Sequence, residues 1–338
     1  MLKDRLRTSA ILISIVVVLV YLDAHSSPSA KGLWLLPLLL FFALGTASDI
    51  TNLLAASGRA VSRRATLIAT GMISMSACMP LLWPLMGSAY PPVCPVGKLG
   101  WIVIASIAAV FVILLEQMAG YGKDEAPANA AQANSDNEKT SSERKQESKI
   151  GFTIERTCGA VFVSLYVGLP MALMVAMRSL GTGNWGLAAL LTTIAVTKST
   201  DAGAYFSGKA LGKNKLIPRL SPGKTREGAI GGIVTATIVA FVCLQWLFPQ
   251  IAGAASGPVA APSIPGIDSP FWGALLLGPI LAITGMIGDL AESLIKRDSG
   301  AKDSGSWLPG LGGVWDVTDS LIAAVMPAFL CFAAGVAS

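Results

Sequence analysis

Six side chains near the C-terminus have the types and spacing for metal-assisted phosphate chemistry. Asp289, Glu292, Ser293 and Lys296 stand at i, i+3, i+4 and i+7, and Asp316 and Asp319 at i and i+3. On helices each set makes one stripe. Acidic oxygens without histidine or cysteine suit a hard cation such as Mg2+, which stays partly hydrated and bridges substrate phosphates. A carboxylate at the end of a membrane helix is costly unless paired, so clustered acids call for lysines, a metal or both. The competing reading is a web of Asp–Lys and Asp–Arg ion pairs closing a loop, with Lys296, Arg297 and Lys302 as the bases. Between the stripes, "LPGLGG" at 308–313 is poor in side chains and lets backbone approach a ligand.

A second polar stretch, 198–232, offers the complementary charge. Lys198, Asp201, Tyr205 and Lys209 share one helical face, and Gly208, Gly212, Pro218, Pro222 and Gly223 then mark a turning connection. The "GKT" at 223–225 is no P-loop, since that motif needs glycine where Pro218 stands. Its basic residues on glycine-bearing backbone suit a polyphosphate, or they only reflect membrane topology. The single histidine, His25, lies in another loop, which excludes Ser-His-Asp, Cys-His and His-ligated metal chemistry at these stretches. The five cysteines show no CxxC spacing, so neither a disulfide framework nor a zinc site is expected.

The elements holding these residues must be membrane helices. The 338 residues are 53% hydrophobic and 13% charged, with a mean hydropathy of +0.63, far too apolar for a soluble domain. Runs near the ~20-residue spanning length fall at 9–24, 33–54, 65–86, 100–119, 157–177, 184–199, 228–248, 271–288 and 320–337. These nine predict an all-α polytopic protein. A first span that is retained, and not a cleaved secretory signal, is the better reading with eight more behind it. An N-terminus facing the cytoplasm puts 22 of the 25 basic residues on that side and leaves Lys31, Lys98 and Arg178 opposite. The net charge of +5 therefore reports topology and acidic lipid headgroups, not nucleic acid. The organisation expected is four spans in 1–119, a polar linker in 120–156 that cannot bury enough apolar area to order itself, and five spans in 157–338 with cytoplasmic active-site loops.

These stretches resemble the phosphatidate cytidylyltransferase (CDP-diacylglycerol synthase) family. Its C-terminal signature, S-x-x-K-R-x4-K-D-x-G-x-x-x-P-G-H-G-G-x-x-D-R-x-D, is met by Ser293, Lys296, Arg297, Lys302, Asp303, Gly305, Pro309, Gly310, Gly312, Gly313, Asp316 and Asp319. Its upstream pattern is met by Asp201, Ala204, Tyr205, Gly208, Lys209, Ser221, Pro222, Lys224, Thr225, Glu227 and Gly228. Two departures stand out: Leu311 replaces the signature histidine and Val317 its arginine.

The resemblance implies a multi-pass enzyme of the inner (cytoplasmic) membrane that makes CDP-diacylglycerol and pyrophosphate from CTP and phosphatidate. It implies Mg2+ or Mn2+ held by Asp289, Asp316 and Asp319, with Lys296 steadying the reacting phosphates. Asp201, Tyr205, Lys209, Ser221, Lys224 and Glu227 fall on the nucleotide side, and Arg297, Lys302 and Asp303 are further candidates. It leaves open a companion monovalent cation and a homodimer. Rival readings are a cytidylyltransferase or CTP-dependent kinase for another lipid, a non-catalytic relative, and a transporter using the same charges as an ion path.

Overall fold

The structure is a computed structural model that describes residues 2–27, 30–59, 61–88, 90–91, 93–121, 152–258 and 266–337. The expected linker lies largely outside the described residues. The helices are α1 (Leu2–His25), α2 (Leu36–Ala56), α3 (Arg63–Ser76), α4 (Met79–Leu85), α5 (Gly100–Gly120), α6 (Phe152–Arg178) and α7 (Trp185–Leu211). A short hairpin, β1 (Lys215–Ile217) and β2 (Ser221–Thr225), then leads into α8 (Arg226–Val242). A π turn over Cys243–Leu247 joins α8 to α9 (Phe248–Ala252), where Pro249 removes a backbone donor. Two long helices, α10 (Pro270–Asp298) and α11 (Trp315–Ala333), complete the chain.

Apart from α1, the long helices bury small and apolar residues at helical spacing. On α2 these are Leu39, Ala43, Ala47 and Ile50; on α6, Val163, Val167, Met171 and Met174; on α10, Ala274, Leu277 and Leu281. Alanine and glycine at such positions let helix backbones approach, the usual basis of packing in lipid. The opposite faces are apolar too: Val103, Ile107, Phe111 and Leu115 of α5 point away from the bundle. A helix apolar all round belongs in a membrane.

Among the described residues, seven helices are long and apolar enough to cross a membrane, or eight if α3 and α4, bent by 57°, form one broken span. The bend falls at Pro80, which lacks a backbone donor. The expected sixth span, 184–199, is the first part of α7, which is less apolar than the other long helices because threonines and Lys198 interrupt it. Its environment explains the composition. α7 packs against α6, α8, α9, α10 and α11, and Thr193, Thr197 and Thr200 turn their hydroxyls back to carbonyls four residues earlier. A helix shielded by its neighbours needs no lipid-facing apolar surface.

α1 is tied to the bundle at both ends. Near its start the Arg5 side chain donates to the Gly310 carbonyl (2.5 Å) and Thr8 to the Pro309 carbonyl (2.9 Å). The N-terminus therefore lies on the same side as the 299–314 loop. Near its end the fully buried Asp23 accepts from Arg178 Nε (2.6 Å) and the Gly32 amide (2.6 Å).

Candidate active site

Antiparallel packing of α10 on α11 builds the acidic centre. Asp289 and Glu292 lie one turn apart on α10, facing Asp319 in the first turns of α11. One carboxylate oxygen from each lies within 4.8 Å of the others. Gly288 permits this approach, because a Cβ there would run into the Asp319 carbonyl. Glu292 and Asp319 are buried and Asp289 is half-buried. Three buried-to-half-buried carboxylates this close repel strongly unless cations intervene.

Lysines supply part of the compensation. Lys224 Nζ is 2.5 Å from Asp289, and Lys296 Nζ is 3.2 Å from Glu292 and 2.8 Å from Asp316. Lys198 Nζ is 3.8 Å from both Asp201 and Asp319 and donates to Ser320 Oγ at 2.9 Å. In this network five carboxylates (Asp201, Asp289, Glu292, Asp316, Asp319) face three ammonium groups. Two negative charges remain, the charge of one divalent cation. The all-oxygen donor set suits a hard ion, so the residues present fit Mg2+.

Asp316 sits differently from the other acids. Its Oδ1 takes the Lys296 ammonium, while Oδ2 accepts from Ser304 Oγ (2.8 Å), the Ser304 amide (3.2 Å) and the Gly313 amide (2.7 Å). It fastens the 299–314 loop to the base of α11. Within that loop Leu308 and Gly312 exchange both backbone bonds at 3.0 Å, and Leu311 occupies the turn between them. Gly312 has φ +99°, and a Cβ there would collide with the Asp316 carboxylate. The glycine run thus serves the Asp316 clamp.

A cavity of about 470 Å³ opens beside the acidic centre, walled by Asp201, Tyr205, Lys209, Lys224, Thr225 and Asp289. The hairpin brings Lys224 to it. Thr225 caps α8 by accepting from the Gly228 amide at 3.1 Å. Glu227 turns away and accepts from the Lys213 amide (3.1 Å) and Asn214 Nδ2 (2.7 Å), holding the turn before the hairpin. Ser221 begins β2 opposite Ile217, outside the cavity wall. Arg297, in the last turn of α10, and Lys302 and Asp303, in the loop that follows, are exposed. Of the sequence candidates, Asp201, Tyr205, Lys209, Lys224, Asp289, Lys296, Asp316 and Asp319 are therefore gathered at one place. Ser221, Glu227, Arg297, Lys302 and Asp303 surround it.

Three further residues join the centre. Glu292 completes the three-carboxylate group, and Lys198 bridges Asp201 to Asp319. Asp49, from the distant α2, is fully buried, and its Oδ2 accepts from the Trp315 amide at 3.1 Å, at the N-terminus of α11. The Thr46 and Thr318 hydroxyls pair beside it at 2.8 Å. The available signal for Asp49 was a carboxylate within an apolar run, an expensive placement that asks for a function or a partner.

A helical membrane protein with a lysine-laced carboxylate centre beside a lysine-bearing cavity is the class these features define. The cytidylyltransferase family profile matches residues 3–334, and the chain belongs to that family. It is similar to the phosphatidate cytidylyltransferase of Bacillus subtilis, 38% identical over 181 residues, covering 54% of this chain and 59% of the relative. It is also similar to those of Haemophilus influenzae (42% over 140 residues, 41% and 44% covered) and Brucella suis (41% over 165 residues, 49% and 53% covered). The chain thus spans about half the length of the curated relatives it matches.

Proposed function

We propose that this protein transfers CMP from CTP to phosphatidate, giving CDP-diacylglycerol and pyrophosphate. The observation that carries the reading is the three-carboxylate group of Asp289, Glu292 and Asp319, set beside a lysine-bearing cavity in a chain of the cytidylyltransferase family. The nucleotide occupies the cavity, with Lys224 and Lys209 toward its phosphates and Tyr205 available to stack on the base. The lipid phosphate, already an anion, attacks the α-phosphorus of CTP. A new P–O bond forms as the bond from that phosphorus to the oxygen bridging it to the β-phosphate breaks, and pyrophosphate leaves with the electron pair. No covalent enzyme intermediate is needed. The protein aligns two anions and offsets their repulsion.

Asp289, Glu292 and Asp319 would hold Mg2+ (or Mn2+), which when bound neutralises phosphate oxygens and favours departure of pyrophosphate. Lys296 keeps Asp316 and Glu292 in place at the rim, and Lys198 offers the lipid phosphate an ammonium between Asp201 and Asp319. The active face and the N-terminus look to the cytoplasm of a multi-pass inner-membrane protein, a reading supported by the 22 basic residues on that side. Residues 157–338 carry the chemistry, and α2 supports them through Asp49.

The test is an assay of purified protein with phosphorus-labelled CTP and a panel of lipid phosphates, with and without chelator. Label from the α-phosphate should enter phosphatidate in a metal-dependent way. Entry of γ-label would instead identify a lipid kinase, and no transfer to any lipid would end the proposal.

A further inference from the structure

A second cavity, of about 260 Å³, lies inside the bundle between α1, α2, α6, α7 and α11. Its walls are apolar: Val16 and Val20 of α1, Leu39 of α2, Met174 of α6, Leu191 of α7 and Val317 of α11. Two polar residues reach it. Thr318 already spends its hydroxyl on Thr46. Lys198 lines the cavity with its stem while its ammonium lies 3.8 Å from Asp319 and Asp201. A lysine with an apolar stem and a charged head marks a boundary between greasy and ionic surroundings. The cavity therefore abuts the acidic centre, with one side chain between them.

Resting on the function proposed above, we infer that this cavity receives an acyl chain of the lipid phosphate substrate, and that Val317 is a specificity-determining residue in its wall. A lipid phosphate held at Lys198 must send its chains away from the acids, and this cavity offers an apolar path beginning at that lysine. α1 closes its bilayer side. That helix is pinned near its ends by Arg5, Thr8 and Asp23, while Ile13 and Val17 between them face outward. Val317 stands where the signature has arginine. A guanidinium at 317 would enter an apolar space shared with a single lysine, at a desolvation cost. Valine leaves the wall apolar up to Lys198, so the site grips a chain near the headgroup where the signature residue would grip charge.

The test uses the full-length protein in detergent. A phosphatidate carrying a diazirine midway along one acyl chain is photolysed on the protein, and the labelled peptides are mapped. Labelling of α1 and of the segment containing Val317, displaced by phosphatidate and not by phosphatidylcholine, supports the inference. Equal displacement by both lipids would mean that bulk lipid fills the space, and labelling confined to other helices would place the chain elsewhere; either outcome overturns it. In the kinetic arm, Leu191→Trp and Val317→Phe each displace about two methylenes' worth of chain, so the KM for dioleoyl phosphatidate rises about tenfold. The KM for CTP stays within about twofold, which also reports that the variant is folded, and dihexanoyl phosphatidate is affected less than the long-chain lipid. If neither variant changes the dependence on chain length, the inference fails. If the wild-type protein transfers CMP to no lipid phosphate, the proposed function falls, and the labelling pattern still decides whether the cavity takes a chain.

Discussion

Glu292→Gln and Asp316→Asn should both lower CMP transfer, yet differ in what restores it. Glu292 belongs to the three-carboxylate group, and its loss removes one of the proposed cation ligands while the loop clamp stays intact. The half-saturating Mg2+ concentration should rise at least about tenfold, the range expected when support of a metal site is weakened, and high Mg2+ should recover much of the rate. Asp316 instead accepts four bonds, one from Lys296 and three from Ser304 and Gly313. An asparagine amide placed toward Lys296 sets donor against donor, and placed toward the loop it forfeits the other three. Either way at least one charged hydrogen bond, about 1.5–3 kcal/mol, is lost, which at ~1.4 kcal/mol per decade is about 10- to 150-fold in rate. Added Mg2+ should not recover it, because the defect lies in the 299–314 loop. The assay is kcat/KM for CMP transfer over a Mg2+ titration, with Tm in detergent measured alongside. If Mg2+ rescues Asp316→Asn as fully as Glu292→Gln, Asp316 is itself a cation ligand and the division of labour drawn here is wrong.

Lys224→Met should raise the KM for CTP about tenfold, since it deletes an ammonium from the cavity wall and frees Asp289 from its 2.5 Å partner; an unchanged KM would remove Lys224 from the nucleotide site. Asp49→Ala leaves the buried Trp315 amide unsatisfied at a cost of about 1–3 kcal/mol, so Tm and activity should fall together, whereas Asp49→Asn keeps an acceptor and should retain most of both; equal behaviour of the two variants would show that the hydrogen bond is not what matters. Asp23→Asn strands the buried Arg178 on the opposite side of the membrane, with an expected loss of about 3–5 kcal/mol. It should appear as reduced folded yield with an unaltered KM for CTP in the folded fraction, and a changed KM would mean that this pair communicates with the site.

The helical class and the two polar stretches were legible because each obeys a local rule: spanning length for the helices, i, i+3 and i+4 spacing for the stripes. The enclosure of one helix by the others was not. α7 carries threonines and Lys198 because other helices enclose it, and enclosure is a property of tertiary packing that a hydropathy reading of one segment does not contain. The broken α3–α4 pair was harder still, since its 57° bend follows from Pro80 inside a run that reads as continuous.

The roles of the acids show the same division between local pattern and assembly. Asp289, Glu292, Asp316 and Asp319 could be gathered from spacing, but spacing is silent on which of them the loop amides claim. Asp316 was indistinguishable from Asp319 until Ser304 and Gly313, 12 and 3 residues before it, closed on its carboxylate. Asp49 was further out of reach, because its partner is 266 residues away. That contact changes what the first half of the chain is for. α2 supplies an acceptor to the N-terminus of α11, and α1 holds the 309–310 turn through Arg5 and Thr8. The N-terminal helices thereby hold the 309–315 stretch that leads into Asp316 and Asp319, which makes them part of the framework of the acidic centre as well as an anchor in the bilayer.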